Sequence, residues 1–378
     1  LELPPIRIGL TVSKSGKYQT PSSMIHRAFQ IWEQDTNNRG GLLGREVQLV
    51  VYDDQSNEKL VRHLYEQLIV TDKVDLVFSP YGTPLTLAAS EVTERHKFVM
   101  LACGASGEEN WSRGYRHLFG VYAPASRYFI GFLDIMARHG LMSVAILYEQ
   151  SSFNISAAQG AREWAARFGI KVALFRGYKQ GASDLPQIIP EVIKENPDGL
   201  ILCAYPDDGY LLLELLRNAP HRPKALGMAI TPTFPEFVVR AKDMAEGVFA
   251  PSQWEATVRM PFPGTKEFLE KFMAAKGEIP QYHATAAFAT AEVLSKAVTA
   301  TGSLDHGKIR DYIQNLDTVT VIGRFKVDHT GLQIGHNPIL IQWQKGKKEI
   351  VYPTSMRTAP PLFDLPGKGN VHENPQKN

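Results

Sequence analysis

Two hydroxyl side chains lie where predicted strands turn into predicted helices. Thr83, in Tyr81-Gly82-Thr83-Pro84, follows the apolar run 74–78, and Ser106, in Cys103-Gly104-Ala105-Ser106, follows the next apolar run. At such a turn the side-chain oxygen and the first unpaired backbone N–H groups of the helix can face one point. The positive end of the helix dipole favours an anion there without any Lys or Arg. Two such turns on neighbouring strands therefore predict a clamp for one small carboxylate.

Each hydroxyl also has a purely structural explanation. Thr83 fits the N-cap position of a helix whose first residue is Pro84. Ser106 and Glu109 have the Ser-x-x-Glu spacing of a capping box. Position favours the ligand-binding interpretation, because ligands of open parallel sheets lie outside the carboxyl ends of the strands.

Aromatic residues collect at matching strand ends and predict an apolar, stacking wall for the same site. Taken singly, any of them could equally belong to the core or the surface. These candidates are Tyr18, Tyr81, Tyr122, Phe153, Tyr205 and Trp254.

Composition indicates a soluble globular chain of two domains. The 378 residues are 44% hydrophobic and 21% charged, with a net charge of +2 and no block of Lys and Arg, so nucleic acid is not expected as a partner. No apolar segment approaches the roughly 20 residues needed to cross a bilayer. The start at Leu1 is not a signal peptide, although a cleaved one could have preceded it.

The sequence predicts neither a metal site, nor a cofactor, nor catalytic residues. Cys103 and Cys203 match no metal spacing; two buried free thiols are expected, or a disulfide if the strand ends meet. The 11 histidines, His283 among them, form no ligand pair, and most are expected to face solvent. Nucleotide-binding and nucleophile motifs are missing, so an enzyme is the least favoured class.

Apolar runs alternate with amphipathic helices along residues 6–119, which predicts one doubly wound α/β domain with a parallel sheet. A second set of strands and helices between residues 143 and 250 predicts a similar domain. Helices expected at 265–276, 285–301 and 308–315 need a sheet to pack on. If they return to the first domain, the chain crosses between lobes more than once and forms a hinge.

Several short motifs stand out by their combined order and spacing. They are Ile6-Arg7-Ile8-Gly9-Leu10, Ser15-Gly16, the run 38–45 (Asn-Arg-Gly-Gly-Leu-Leu-Gly-Arg), Tyr52-Asp53-Asp54 and Glu246-Gly247-Val248. This order resembles that of the periplasmic solute-binding proteins of branched-chain amino acid/amide ABC transporters, and the resemblance covers roughly residues 6–344.

This resemblance implies a type I periplasmic binding protein: two doubly wound Rossmann-like lobes joined by a three-segment hinge. The expected N-terminal lobe comprises residues 1–122 and 255–330, and the C-terminal lobe residues 123–254 and 331–353. Residues 354–378, rich in Pro, Gly, Asn and Lys, are expected to be extended or disordered.

The resemblance also implies roles for individual residues. Thr83 corresponds to the hydroxyl residue that meets the ligand carboxylate, and Gly104-Ala105-Ser106 to the turn that adds a backbone group and a second hydroxyl. Tyr18, Phe153 and Tyr205 resemble positions that flank the ligand.

Two positions depart from the family pattern. The acid that pairs with the α-ammonium of an amino acid falls near Ala229, and a second acidic position falls near Ala125. An ammonium buried without a counter-charge would cost several kcal/mol. The predicted ligand is therefore a carboxylate with an apolar or aromatic body, such as an aromatic acid or a short fatty or keto acid.

The resemblance implies capture of this ligand in the interlobe cleft by hinge closure, followed by recognition by a membrane-embedded ABC permease. The protein is expected to be periplasmic and monomeric, with no catalytic step. Two alternatives remain: a cytoplasmic amide or small-acid sensor of the same fold that acts on a regulatory partner, and a binding protein for an amino acid or amide.

Overall fold

The computed structural model describes residues 3–181, 184–257, 260 and 262–363. Backbone contacts divide the chain into two compact units. The first comprises Leu1–Tyr128, Ser151–Gly160 and Ser252–Ile339, and the second Phe129–Gln150, Ala161–Pro251 and Leu340–Asn378. These bounds differ from the predicted ones mainly at residues 151–160. That segment belongs with the first unit because Gly160 comes so close to Ser126 that a Cβ there would lie 2.2 Å from the Ser126 carbonyl oxygen.

Fourteen strands lie within the described residues. They are β1 (Ile6–Val12), β2 (Val47–Asp53), β3 (Leu76–Val77), β4 (Met100–Ala102), β5 (Leu118–Gly120), β6 (Ser143–Glu149), β7 (Lys171–Tyr178), β8 (Gly199–Cys203), β9 (Ala225–Met228), β10 (Phe249–Ser252), β11 (Thr318–Thr320), β12 (Gly323–Phe325), β13 (Ile339–Gln344) and β14 (Lys347–Tyr352).

Eleven α-helices lie within the same described ranges. They are α1 (Gln19–Asn38), α2 (Glu58–Glu66), α3 (Thr83–Arg95), α4 (Ile130–Arg138), α5 (Ser152–Arg167), α6 (Leu185–Glu195), α7 (Pro206–Arg217), α8 (Phe237–Ala241), α9 (Thr265–Lys276), α10 (Tyr282–Thr301) and α11 (His306–Asn315).

The first unit is built on parallel strands. β1 lies between β2 and β3, and β4 pairs in parallel with β5. The apolar run of β1 explains its central place, because Ile6, Ile8 and Leu10 are all fully buried. The three late helices lie in this unit, and α10 packs against α1, where the Trp32 Nε1–H donates to Ser295 Oγ at 3.1 Å.

The second unit contains a seven-stranded sheet of order β14-β13-β10-β9-β8-β6-β7. The strands from β10 to β7 run in parallel, whereas β13 and β14 form an antiparallel hairpin. All five residues of β8 are buried, which is typical of a strand covered on both faces. The predicted α/β class is therefore confirmed, with an antiparallel edge added to the expected parallel sheet.

Three local features differ from the sequence prediction. Strand β5 and helix α4 were not predicted. Helix α2 continues beyond Glu66 as a π-helical turn at Gln67–Thr71. Residues 354–363, expected to be extended or disordered, are instead held against β13, where Gln342 exchanges two hydrogen bonds with the Leu362 backbone. The rest of the expected tail lies outside the described residues.

Across the described part of the chain, no helix is both long and apolar enough to cross a membrane. Cys103 and Cys203 are both buried and free, so the first of the two sequence-based alternatives for them is the one observed.

Candidate functional site

Helix α3 begins one residue earlier than predicted. Gly82, not Thr83, occupies the N-cap position, with φ of 89°, and Thr83 and Pro84 are the first two helical residues. A glycine accounts for the shift, because a positive φ there is strained for any residue with a Cβ. The Gly82 N–H donates to the Gly104 carbonyl at 3.1 Å and so fastens this turn to the one after β4.

The Thr83 hydroxyl does not cap its own helix. It accepts a hydrogen bond from the Gly107 N–H at 3.0 Å, and α3 has no side-chain cap. The structural alternative for Thr83 is therefore wrong. A hydroxyl that accepts one bond keeps its proton to donate, and the N–H groups of the first helical turn have no partner within the helix. Both can face an anion.

The capping-box alternative for Ser106 is wrong as well. Gly107 is the N-cap of the short 3-10 helix Glu108–Trp111, with no side-chain cap. The Ser106 hydroxyl instead donates to the Tyr128 hydroxyl at 3.1 Å. Thr83 and Ser106 are thus both held by contacts outside their own helices.

Gly104 and Ala105 form the floor of the turn after β4. A Cβ on Gly104 would lie 2.8 Å from Tyr81 Cδ2 and 3.4 Å from Tyr81 Cα, so only glycine lets the two turns approach this closely. Ala105 is fully buried beside it. The sequence prediction that these two turns lie together is borne out by these contacts; their ligand remains a prediction.

A cluster of aromatic rings adjoins the turns. Tyr81 contacts Tyr18 and His283 edge to face, with ring centroids 5.7 and 5.5 Å apart. Tyr122 contacts Tyr282 and His283 at 5.7 and 6.4 Å. His283 is buried, so the expectation that most histidines face solvent fails for it, because α10 presents its first turn to this cluster.

The buried hydroxyls of this cluster are neutral. Burial raises the pKa of Tyr81, Tyr122 and Tyr128 above the usual phenol range, so each keeps its proton at physiological pH. Neutral hydroxyls can donate hydrogen bonds to a carboxylate without adding a competing charge. The exposed Lys17 lies beside the cluster, with its ammonium 5.1 Å from the Tyr18 ring centroid.

Tyr128 and Gln253 were not predicted, yet they join three segments of the first unit. The Gln253 Nε2–H group donates to Tyr128 Oη at 2.9 Å, and its Oε1 accepts from the Ala123 N–H at 2.8 Å. The Phe153 ring packs edge to face on Tyr128 at 5.4 Å. Of the predicted candidates, Phe153 is part of this network. Tyr122 and Trp254 are the sequence neighbours of its members Ala123 and Gln253.

Two candidates, Tyr205 and Ala229, lie in the second unit. Tyr205 is the N-cap residue of α7, two residues after the end of β8, and Ala229 follows the neighbouring strand β9. Beyond Ala229 the backbone makes a γ-turn: Ile230 has φ of 65° and ψ of −66°, and the Thr231 N–H donates to the Ala229 carbonyl at 2.7 Å. This conformation is rare and strained for a β-branched residue, and such strain collects at functional positions.

Buried acids lie at the same end of the second unit, which the sequence reasoning missed. Glu149 ends β6, and Asp208, in the first turn of α7, accepts a hydrogen bond from the Tyr178 hydroxyl at 2.7 Å. The pairing of Asp208 with Tyr178 of β7 could not be read from the local sequence.

No group of three His, Cys, Asp or Glu side chains suited to a metal ion occurs in the part of the chain that the structure describes. In the first unit, hydroxyls, backbone groups and aromatic rings lie together around the turns after β3 and β4. In the second unit, Tyr205, Ala229 and two buried acids lie at or after the carboxyl ends of strands.

Comparison with known proteins places this arrangement in a family. The sequence profile of the periplasmic binding protein family matches residues 5–348. Leu/Ile/Val-binding protein homolog 8 of Brucella abortus is 25% identical over 384 residues, covering 96% of this chain and 94% of its own length.

Two solved structures share the fold. One is the branched-chain amino acid transporter substrate-binding protein of Streptococcus pneumoniae in complex with isoleucine, with a TM-score of 0.82, 18% identity, and coverage of 92% of this chain and 100% of that one. The other is an ABC transporter solute-binding protein of Rhodopseudomonas palustris in complex with 3,4-dihydroxybenzoic acid, with a TM-score of 0.79, 17% identity, and coverage of 91% and 95%. The resemblance predicted from the sequence is confirmed, and with it the type I fold. The chain belongs to the periplasmic binding protein family.

Proposed function

We propose that this chain is the substrate-binding component of an ABC importer, and that its ligand is a small carboxylate with an apolar or aromatic body. The observation that carries the proposal is the pair of hydroxyls at Thr83 and Ser106. Both lie at carboxyl ends of parallel strands, and neither is used as a helix cap.

The surroundings of these hydroxyls fit such an acid. Tyr18, Tyr81 and Tyr122 are buried, so they provide an apolar wall with polar edges. The carboxylate would accept hydrogen bonds from the Thr83 hydroxyl and from backbone N–H groups at the start of α3. It would accept a further one from Ser106 once that hydroxyl turns its proton from Tyr128 to the ligand. At the family position for an ammonium partner stands Ala229, which offers no charge. The family resemblance further implies that Phe153 and Tyr205 flank the apolar body.

A specific observation supports a second candidate, an amino acid or amide. Glu149, at the end of β6, and Asp208, in the first turn of α7, are buried acids of the second unit, and either could face an ammonium group. The names of the Brucella relative and of the Streptococcus structure point the same way, since both refer to branched-chain amino acids.

Isothermal calorimetry separates the two candidates. Benzoate-like and short aliphatic acids are titrated in parallel with leucine, isoleucine and valine. We expect the plain acids to bind and the amino acids to bind at least about tenfold more weakly, since an unpaired buried ammonium is costly. Tight binding of an amino acid with no binding of any plain acid would overturn the carboxylate proposal.

Two single substitutions test the site itself. Ser106→Ala and Thr83→Ala each remove a proposed donor, and each is expected to lower the affinity for the acid about tenfold. Unchanged affinity in both variants, with intact folding by circular dichroism, would show that the ligand lies elsewhere. Mass spectrometry of the small molecule that copurifies with the protein would identify the natural acid directly.

We also propose a periplasmic location and a membrane-embedded permease as partner, both on the strength of family membership. Transport of the identified acid into vesicles that contain the permease should require this protein. Ligand-independent transport, or transport that is unaffected by its omission, would contradict that role.

A further inference from the structure

Three buried side chains of the first unit form a continuous chain of hydrogen bonds that ends at a proposed ligand donor. The Gln253 Nε2–H group donates to the Tyr128 hydroxyl at 2.9 Å, and the hydroxyls of Tyr128 and Ser106 are hydrogen bonded at 3.1 Å. The exposed fractions of Gln253, Tyr128 and Ser106 are 3%, 4% and 3%. Each link is a direct contact, so a change at Gln253 reaches Ser106 through Tyr128.

The backbone of Ala123 fixes which way the Gln253 amide faces. The Gln253 Oε1 atom accepts from the Ala123 N–H at 2.8 Å, and Nε2 donates to the Ala123 carbonyl at 3.2 Å as well as to Tyr128. Turning the amide over would set two donors against each other at the Ala123 N–H and two acceptors against each other at its carbonyl. Gln253 can therefore only donate to Tyr128 and never accept from it.

The chain holds one proton more than its own acceptors can take. Gln253, Tyr128 and Ser106 each offer one proton along it, whereas only the Tyr128 and Ser106 oxygens accept. Among the described residues, the Tyr128 proton has no acceptor other than Ser106 Oγ. Without a ligand, the proton of one of the two hydroxyls is therefore unused. An acceptor beside Ser106 lets all three groups donate in one direction, from Gln253 to Tyr128, then to Ser106, and then to the acceptor.

We propose that Tyr128 and Gln253 are positioning residues for the ligand carboxylate: Gln253 sets the direction of the chain, and Tyr128 donates to Ser106, whose own proton is thereby directed to the ligand. The proposal rests on the proposed function, in which Ser106 meets the carboxylate. Hydrogen bonds in such a chain polarise one another, so each donor strengthens the next. A carboxylate, which only accepts, completes the chain, whereas an ammonium, which only donates, cannot.

A double-mutant cycle tests whether Tyr128 acts through Ser106. Calorimetry with benzoate, 3,4-dihydroxybenzoate and butyrate compares the wild type, Ser106→Ala, Tyr128→Phe and the double variant. Tyr128→Phe should weaken binding of the acid about fivefold when Ser106 is present, and less than about twofold when Ser106 is already replaced. The same loss in both backgrounds would overturn the proposal, and so would an unchanged affinity in Tyr128→Phe.

The same titrations keep this proposal distinct from the proposed function. If Ser106→Ala leaves the affinity unchanged while Thr83→Ala lowers it, the positioning roles are wrong and the carboxylate function stands. If none of the three acids binds the wild-type protein, the proposed function and the positioning roles fail together.

Gln253→Glu reverses the end of the chain and gives a readout that packing alone does not move. The ionised carboxylate accepts from Tyr128, whose oxygen then competes with the ligand for the Ser106 proton, so affinity should fall at least about tenfold at pH 9. Once protonated, the introduced carboxyl can donate to Tyr128 as the amide does. Affinity should therefore recover as pH falls to about 5.5, where a ligand with an ordinary carboxyl pKa of about 4 is still ionised.

Two comparisons isolate the chain in this experiment. Charge repulsion between the introduced carboxylate and the ligand would persist in a Ser106→Ala background, whereas a loss through the chain should shrink there. The wild type retains Glu108 and Glu255, which lie two residues beyond Ser106 and Gln253, and its affinity should change less than about twofold over the same pH range. A loss in Gln253→Glu that does not depend on pH, or no loss at all, would overturn the role of Gln253.

Tyr65→Phe is the matched control for Tyr128→Phe. The Tyr65 hydroxyl is also buried in the first unit, but it donates to the Phe78 carbonyl at 2.5 Å, a contact outside the chain. This substitution should lower the melting temperature, because the carbonyl loses its donor, and it should leave acid affinity unchanged. A loss of affinity as large as that of Tyr128→Phe would mean that loosening the first unit is sufficient, and the positioning roles would then be wrong.

Discussion

The carboxyl ends of the parallel strands differ in character between the two units. In the first unit they present neutral hydroxyls, glycine turns and tyrosines, with Cys103 directly after β4. In the second they present Tyr205, a strained γ-turn at Ile230 and the buried acids Glu149 and Asp208, with Cys203 ending β8.

The strand ends of the two units are suited to different chemical groups. Neutral donors and an open helix start suit a ligand's anionic group, whereas buried acids suit a cationic group or a fixed internal network. Both units carry a free, buried cysteine near the end of a strand: Cys103 follows β4, and Cys203 is the last residue of β8. The following predictions test how far the contrast holds.

The largest expected effect concerns this shared feature. Burial raises the pKa of the Cys103 thiol from 9.0 to about 12, and it raises the pKa of Cys203 as well. At about pH 8 such a shift lowers the thiolate fraction about 1,000-fold, and burial also blocks access. Alkylation of the native protein should therefore be at least about 1,000-fold slower than in concentrated urea.

Partial denaturation makes the same experiment a comparison of the two units. Peptide mapping after brief labelling at increasing urea shows which cysteine reacts first and hence which unit opens first. Rapid labelling of either cysteine in the native protein would contradict the burial of that strand end.

The second prediction concerns the Thr83 hydroxyl, one of the neutral groups at the strand ends of the first unit. Thr83→Val keeps the side-chain shape but leaves the Gly107 N–H without its acceptor, which costs about 1–3 kcal/mol of unfolding free energy. The affinity for the bound acid should fall about 10- to 100-fold, because the ligand donor is lost as well. Chemical denaturation and calorimetry measure the two effects.

Thr86→Val is the matched control for Thr83→Val. Thr86 lies in the same helix and is also buried, but its hydroxyl has no partner among the described residues. Its replacement should leave stability and affinity unchanged. Equal effects of the two substitutions would return Thr83 to a packing role.

Some of the structural features behind these predictions could be predicted from local sequence patterns, and others could not. The helix at residues 265–276 was predicted at its observed bounds, because apolar periodicity and turn residues are local signals. The Thr83 and Ser106 turns were found for the same reason. Strand β5, only three residues long, offers no such pattern.

Long-range contacts were not predictable. Tyr128 and Gln253 bond each other across 125 residues of sequence, and no local pattern marks either one. The burial of His283 depends on where α10 packs. The hydrogen bond from the Tyr178 hydroxyl to Asp208 depends on the order of the strands in the sheet. The γ-turn at Ile230 contradicts the backbone preference of isoleucine, so only the folded chain shows it.

The third prediction concerns Asp208, one of the two buried acids at the strand ends of the second unit. Tyr178→Phe removes the hydroxyl that donates to Asp208 Oδ2, so unfolding free energy should fall by about 1.5 kcal/mol. The hydroxyl is protonated at all ordinary pH values, since burial and Asp208 raise the Tyr178 pKa. Tyr148→Phe, on the neighbouring strand β6, is the control, since no hydrogen bond of its hydroxyl occurs among the described residues.

Ligand affinity in the same variant sharpens the contrast between the units. If Asp208 belongs to an internal network, binding of the acid is unchanged by Tyr178→Phe. A large loss of affinity, or a gain for amino acids, would show that the acidic edge meets the ligand and would favour the second candidate function.

The smallest expected effect concerns Glu292, the acidic residue of helix α10 in the first unit. Burial raises the pKa of Glu292 to about 7, with Arg39, Lys271 and Lys296 opposing the shift. Glu292 lies ten residues beyond Tyr282, about 15 Å along the helix, so it is remote from the aromatic cluster. Because the folded-state pKa is above the ordinary 4.5, the protonated carboxyl stabilises the fold at low pH, and this contribution is lost as pH rises from about 4.5 through 7.

Glu292→Gln should therefore raise the unfolding free energy by about 1 kcal/mol above pH 7 and flatten its dependence on pH between those limits. The substitution at the exposed Glu267 of α9, Glu267→Gln, provides the surface control and should do neither. Urea titrations at a series of pH values measure both variants, and acid affinity should be unchanged in each. A Glu292→Gln protein that is less stable than wild type above pH 7 would contradict this prediction. It would mean that the ionised carboxylate of Glu292 is paired and stabilises the first unit.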